Sequence, residues 1–126
     1  MSRKPAIHDA EPSLVVSHGA DFFGEDRHPL KGITALAPYA ESSVSFVDRP
    51  TIAPLVRILE APASRSFPAA EAAQLSEQLL KVARNRHTKS AVALLARAMA
   101  DAAARAAAGG EAWTWTVEGS TAAAAA

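Results

Sequence analysis

Val44-Ser45-Phe46-Val47-Asp48-Arg49-Pro50-Thr51 is the stretch on which the reading of the fold turns. Its first four residues are β-branched or aromatic apart from one serine, which is strand composition, and Asp48-Arg49-Pro50 stops the run. Thr51 then caps a helix in which Ile52, Leu55, Val56 and Leu59 recur at i, i+3, i+4 and i+7. Pro54 falls in the first turn of that helix, where proline is tolerated. Upstream, Leu14-Val15-Val16 lies in a first strand over residues 13–18. Between the two strands, Ile33, Leu36, Ala37 and Ala40 mark a short helix, although Pro38 interrupts it. A strand, a crossover helix and a second strand predict a parallel, right-handed unit. On this reading the protein is α/β, with α+β as the alternative.

Downstream, Ser66-Phe67-Pro68 starts the next helix with a cap residue and a proline whose missing N–H costs nothing there. Its apolar stripe is Ala72, Leu75, Leu79, Val82 and Ala83. The pattern breaks at Arg84 to Lys89 and resumes over residues 90–108 with Val92, Leu95, Ala96, Met99 and Ala103. Gly109-Gly110 ends it. These two stripes predict a helical hairpin, and one continuous helix is the rival, because no glycine or proline lies between 69 and 108. Trp113, Trp115 and Val117 alternate with Thr114 and Thr116 in a last strand over 112–118, with the tryptophans toward the core. The predicted order is β-α-β-α-α-α-β: a three-stranded sheet covered by the hairpin and one or two short helices. One domain spans 13–118, between an arm at 1–12 and an alanine-rich tail at 119–126.

Alanine accounts for 31 of the 126 residues, so few bulky side chains remain and they suffice for one core. There is no cysteine, which excludes disulfides, thiolate chemistry and cysteine-based zinc sites. No run approaches the ~20 apolar residues of a membrane span. Met1-Ser2-Arg3-Lys4-Pro5 is not followed by the apolar stretch of a signal peptide. A soluble, cytoplasmic protein is expected, with no membrane partner. Formal net charge is zero, which argues against a general nucleic-acid binder.

Four groups of residues could carry chemistry or contacts. If the first two strands are parallel, His18, Asp21, Asp48, Arg49 and Thr51 share the carboxyl edge where open α/β sheets bind ligands. His18, Asp21 and His28 could ligate a metal, although their spacing matches no standard motif and the bland reading is a solvated loop over 19–32. Arg84, Arg86 and Lys89 form a basic turn between helices, a candidate nucleic-acid contact. Leu94 lies on the polar side of its helix with Arg97, Asp101 and Arg105, a candidate interaction face. No catalytic set is recognisable: G-x-S-x-G, H-E-x-x-H and phosphate-loop patterns are all missing, and no cofactor is expected.

With Ser17-His18-Gly19-Ala20-Asp21-Phe22-Phe23-Gly24-Glu25-Asp26-Arg27-His28-Pro29 and the closing Ala112-Trp113-Thr114-Trp115, the chain resembles small uncharacterised actinobacterial proteins that form a domain family of unknown function. The resemblance covers roughly residues 13–118 and implies no catalytic residues. The function expected is a non-enzymatic accessory or protein-interaction domain with a protein partner or a homodimer, working through the loop 18–29 and the Leu94 face. A small-ligand or metal-binding protein, including an enzyme, at the sheet edge is the alternative. Nucleic-acid binding through Arg84 to Lys89 is third.

Overall fold

The computed structural model describes residues 12–17 and 25–119. The chain runs through β1 (Ser13–Ser17), β2 (Glu25–Pro29), α1 (Leu30–Ser42), a 3-10 turn (Phe46–Asp48), α2 (Arg49–Glu60), β3 (Arg65–Phe67), α3 (Ala69–Arg84), α4 (Ser90–Ala108) and β4 (Trp113–Glu118). The expectations for the arm at 1–11 and the tail from 120 lie outside the described residues.

Leu14 and Val16 are fully buried, and their strand β1 holds the sheet together. It pairs antiparallel with β2 on one side and β4 on the other, and β4 pairs antiparallel with β3, giving the order β2-β1-β4-β3. Among the described residues the sheet therefore has four strands where three were expected. Every pairing is antiparallel, and the architecture is α+β. No parallel unit forms, because 44–47 is not a strand. Both hydrogen-bonding sides of β1 are occupied by β2 and β4, which leaves the 44–47 stretch no partner there. Local bonds close a turn instead: the Asp48 N–H donates to the Ser45 carbonyl at 3.0 Å, and the Ser45 hydroxyl donates to the Asp48 carboxylate at 3.2 Å.

Two strands went unforeseen. Glu25-Asp26-Arg27-His28-Pro29 reads as loop because it carries no apolar alternation. It is an edge strand, paired with β1 from Ser13↔Pro29 to Ser17↔Glu25, and charged side chains with a closing proline suit an edge that must not recruit another chain. Arg27 reaches across β1 to Glu118 at 2.7 Å. Residues 65–67 read as a helix cap, yet Phe67 pairs with Trp113 on β4. Phe67, Trp113 and Trp115 then form a buried aromatic cluster with ring centroids 5.2–5.7 Å apart.

The helices cover one face of the sheet. α1 and α4 lie against the strands, and α2 and α3 pack mainly on those two helices. The expected hairpin forms. Between α3 and α4 the Asn85 side-chain oxygen accepts the His87 N–H at 2.9 Å, and the Thr88 hydroxyl donates to the Val82 carbonyl at 2.9 Å. These bonds satisfy the end of α3 without a glycine. Alanines 96, 100, 102, 103 and 106 are all fully buried on α4, and small side chains allow close helix contact. At that contact the buried Ser76 hydroxyl donates to the Ala100 carbonyl at 2.9 Å. Gly110, at φ 70°, closes α4: its N–H reaches the Ala107 carbonyl and that of Glu111 reaches Ala106. Among the described residues, no helix is long and apolar enough to cross a membrane.

Candidate interaction groove

α1 ends at Ser42, and the Ser43 hydroxyl donates to the Ala40 carbonyl at 2.7 Å, closing the helix. The chain then turns through 44–45 into the 3-10 turn and on into α2 without a break. That abrupt turn directs Phe46 and Val47 outward, each 81% exposed. α2 is apolar on its inner side, where Ile52, Leu55 and Leu59 are buried. A second stripe runs along the outer flank of that side: Arg49, Ala53, Val56 and Glu60, spaced four, three and four residues apart. Arg49 and Glu60 are exposed, and Ala53 and Val56 are half-buried, Val56 against the core.

The turn and this outer stripe enclose an open groove of about 700 Å³. Phe46, Val47, Pro50, Ala53 and Val56 supply its apolar surface, and Glu41, Arg49, Arg57 and Glu60 its charged rim. Arg49 lies 4.0 Å from the Glu41 carboxylate and 5.7 Å above the Phe46 ring. Both ends of that ion pair are half-exposed, so it contributes little to stability and is free to exchange partners.

Of the five residues expected at a ligand edge, the three described ones divide between two hollows. Asp48 and Thr51 face a separate hollow of about 270 Å³, with Val44, Gln78 and Lys81, and Gln78 donates to the Thr51 carbonyl at 3.4 Å. Arg49 turns the other way, into the groove. His18 and Asp21 lie outside the described residues. The parallel carboxyl edge that was to unite all five is missing, because residues 44–48 form a turn and no strand.

His28, the third expected metal ligand, sits on the inner side of β2 opposite Leu14. Its Nε2 is buried and has no hydrogen-bond partner among the described residues, and no group of three His, Asp or Glu side chains is placed to hold a metal among them. Burial lowers the His28 pKa, and the charge of Asp26 opposes that shift in part. The folded state therefore favours neutral imidazole. Above pH ~6.5 both states are neutral and the group contributes nothing. As pH falls below that value the unfolded chain takes up the proton first, so stability drops until the lowered folded pKa is passed. His28→Gln should remove that part of the decline in urea midpoint that sets in as pH falls below about 6.5. An unchanged decline in the variant would refute this role.

The other two groups are exposed as sets. Arg84 ends α3, Lys89 precedes α4 and Arg86 lies between them, all at the surface. Leu94, Arg97, Asp101 and Arg105 share the exposed side of α4, with Leu94 70% exposed. Leu94 is a single bulky side chain there, whereas Phe46 and Val47 stand together beside a groove. The reading of 44–47 as a strand hid that pair. The signal that could have found it is Ser45-x-x-Asp48, the spacing of a capping box, which marks a helical start at 46.

No curated protein and no solved structure matches the chain. Residues 19–116 match a family model described as Domain of unknown function (DUF7739), a span that takes in the groove and, among the described residues, the four helices, β2, β3 and most of β4. The match says nothing of an actinobacterial source, but it covers well over half the sequence, and the chain belongs to the DUF7739 family.

Proposed function

We propose that this domain is a non-enzymatic accessory module that docks another polypeptide through the groove between the 3-10 turn and α2. The observation that carries the reading is the exposure of Phe46 and Val47, 81% each, side by side on a hydrogen-bonded turn. They line the open groove while standing out from the surface, so a polypeptide laid along it would cover both. Covering each would gain roughly 1.5–3 kcal/mol. The Leu94 face supports the reading less, since single exposed leucines are common. A cytoplasmic setting belongs to the same proposal.

A photo-crosslinking side chain placed at Val47 should form adducts with polypeptide in cells producing the protein, and the same group at the exposed Ala104 should not. Phe46→Glu should abolish the adducts while shifting the melting temperature by no more than about 2 °C, because an exposed substitution changes stability by roughly 0.5 kcal/mol or less. Absence of adducts at Val47, or adducts indifferent to Phe46→Glu, would sink the proposal.

A further inference from the structure

We infer that the partner seated on this groove is a second copy of the chain, with the two α2 helices packed antiparallel across a two-fold axis. The inference rests on the docking role proposed above and adds the partner's identity. Four residues of the outer stripe carry it. Arg49, Ala53, Val56 and Glu60 all line the groove and follow one side of the helix. The midpoint between 49 and 60 is also the midpoint between 53 and 56. An antiparallel pair that sets Arg49 against Glu60 of the second copy therefore sets Ala53 against Val56, and the same contacts repeat across the axis. A parallel pair would set Arg49 against Arg49 and Glu60 against Glu60. The charges, about 16 Å apart along the helix, thus fix orientation and register together, with the apolar pair between them. Ala53 is small enough for the helices to approach closely, and Phe46 and Val47 of each copy cover the far end of the other helix.

The rest of the surface points the same way. β2 is a charged edge strand and β3 is only three residues long, so neither sheet edge invites a second copy. α2 is an outer helix whose inner contacts are to α1 and α3, and along the stripe Arg49 and Glu60 are exposed while Ala53 and Val56 keep part of their surface free. Arg49 already sits beside a carboxylate, Glu41 at 4.0 Å, a solvated contact it can exchange for Glu60 of the second copy.

A single helix pair with flanking turns is a small interface, so the dimer should be weak, with Kd on the order of 10–100 μM. Sedimentation of the full chain from about 10 μM to 1 mM should show mass rising toward twice the 13.1 kDa of one chain. Arg49→Glu and Glu60→Arg should each weaken association at least about tenfold, since each turns two attractive contacts into two repulsive ones. An equimolar mixture of the two variants should recover a mixed dimer of wild-type strength, because each supplies the charge that the other's reversal removed. Melting curves of both variants, expected to match wild type, separate lost association from lost folding. A chain that stays monomeric throughout, a dimer indifferent to both reversals, or a mixture that does not recover would overturn the inference. If the purified chain is monomeric while Val47 still crosslinks a different polypeptide, the docking role stands and the second copy is wrong. If Val47 crosslinks nothing, both fall.

Discussion

Trp113→Ala is expected to destabilise the domain by about 3–5 kcal/mol, the range for deleting a large buried aromatic side chain. The indole is fully buried on β4 and touches two other rings, Phe67 at 5.7 Å and Trp115 at 5.5 Å between centroids. Phe67 lies on the shortest strand, which has only three residues to pair with β4. The alanine therefore leaves a cavity and also removes the surface on which that edge strand is anchored. Small domains have roughly 5–15 kcal/mol in total, and a chain this rich in alanine has few bulky side chains with which to refill the space. Urea denaturation followed by far-UV circular dichroism should show the midpoint collapse or the transition vanish. A loss below about 1.5 kcal/mol, the cost of a tolerated isosteric swap, would mean that the aromatic cluster does not organise the core.

Ala100→Leu should produce the second-largest effect, about 1–3 kcal/mol, through overpacking instead of a void. Ala100 is fully buried, and its carbonyl accepts the Ser76 hydroxyl at 2.9 Å. A bond of that length between a side chain as short as serine and the backbone of another helix requires the two helices to lie close together. Three added heavy atoms must push α3 and α4 apart there and stretch the Ser76 bond. Ala104→Leu, on the exposed side of the same helix, makes the control. It adds the same atoms with the same helix propensity and should change stability by roughly 0.5 kcal/mol or less. Equal effects at the two positions would contradict close packing at Ala100.

The existence of all the described helices was legible, although α1 runs from Leu30 to Ser42 where Ile33 to Ala40 was expected, and α2 starts at Arg49, ahead of the expected cap at Thr51. Of the expected α2 stripe, Ile52, Leu55 and Leu59 are buried and Val56 is half-buried at its edge; on α3, Ala72, Leu75, Leu79 and Val82 are buried and Ala83 half-buried. The break at 85–89 and the stop at Gly109-Gly110 also fall where the pattern places them. In β4, Trp113 and Trp115 face the core as their alternation predicts. The strands with no side-chain pattern were illegible. Arg65-Ser66-Phe67 looks like a helix entry, and Glu25 to Pro29 looks like solvent-exposed loop. Outside the groove, Leu94 was legible because an apolar residue on a polar helix side stands out. Phe46 and Val47 were misread because β-branched and aromatic residues in a short run signal a strand until a partner proves unavailable.

The sequence by itself determined which stretches are helical, where the α3–α4 hairpin breaks and α4 stops, and that Trp113 and Trp115 belong inside. It set the start of α1 at Ile33 and the caps of α2 and α3 at Thr51 and Ser66, whereas those helices begin at Leu30, Arg49 and Ala69. Helix hydrogen bonds are made within four residues, so local spacing carries the information. Only the tertiary structure decided the rest: that β1 is flanked by β2 and β4, that residues 44–48 therefore turn instead of pairing, and that Phe46, Val47 and the Arg49–Glu60 stripe share one groove. Strand hydrogen bonds are made to distant segments. Which segments pair is settled by competition for the two sides of one central strand, and no single run of residues records the outcome of that competition.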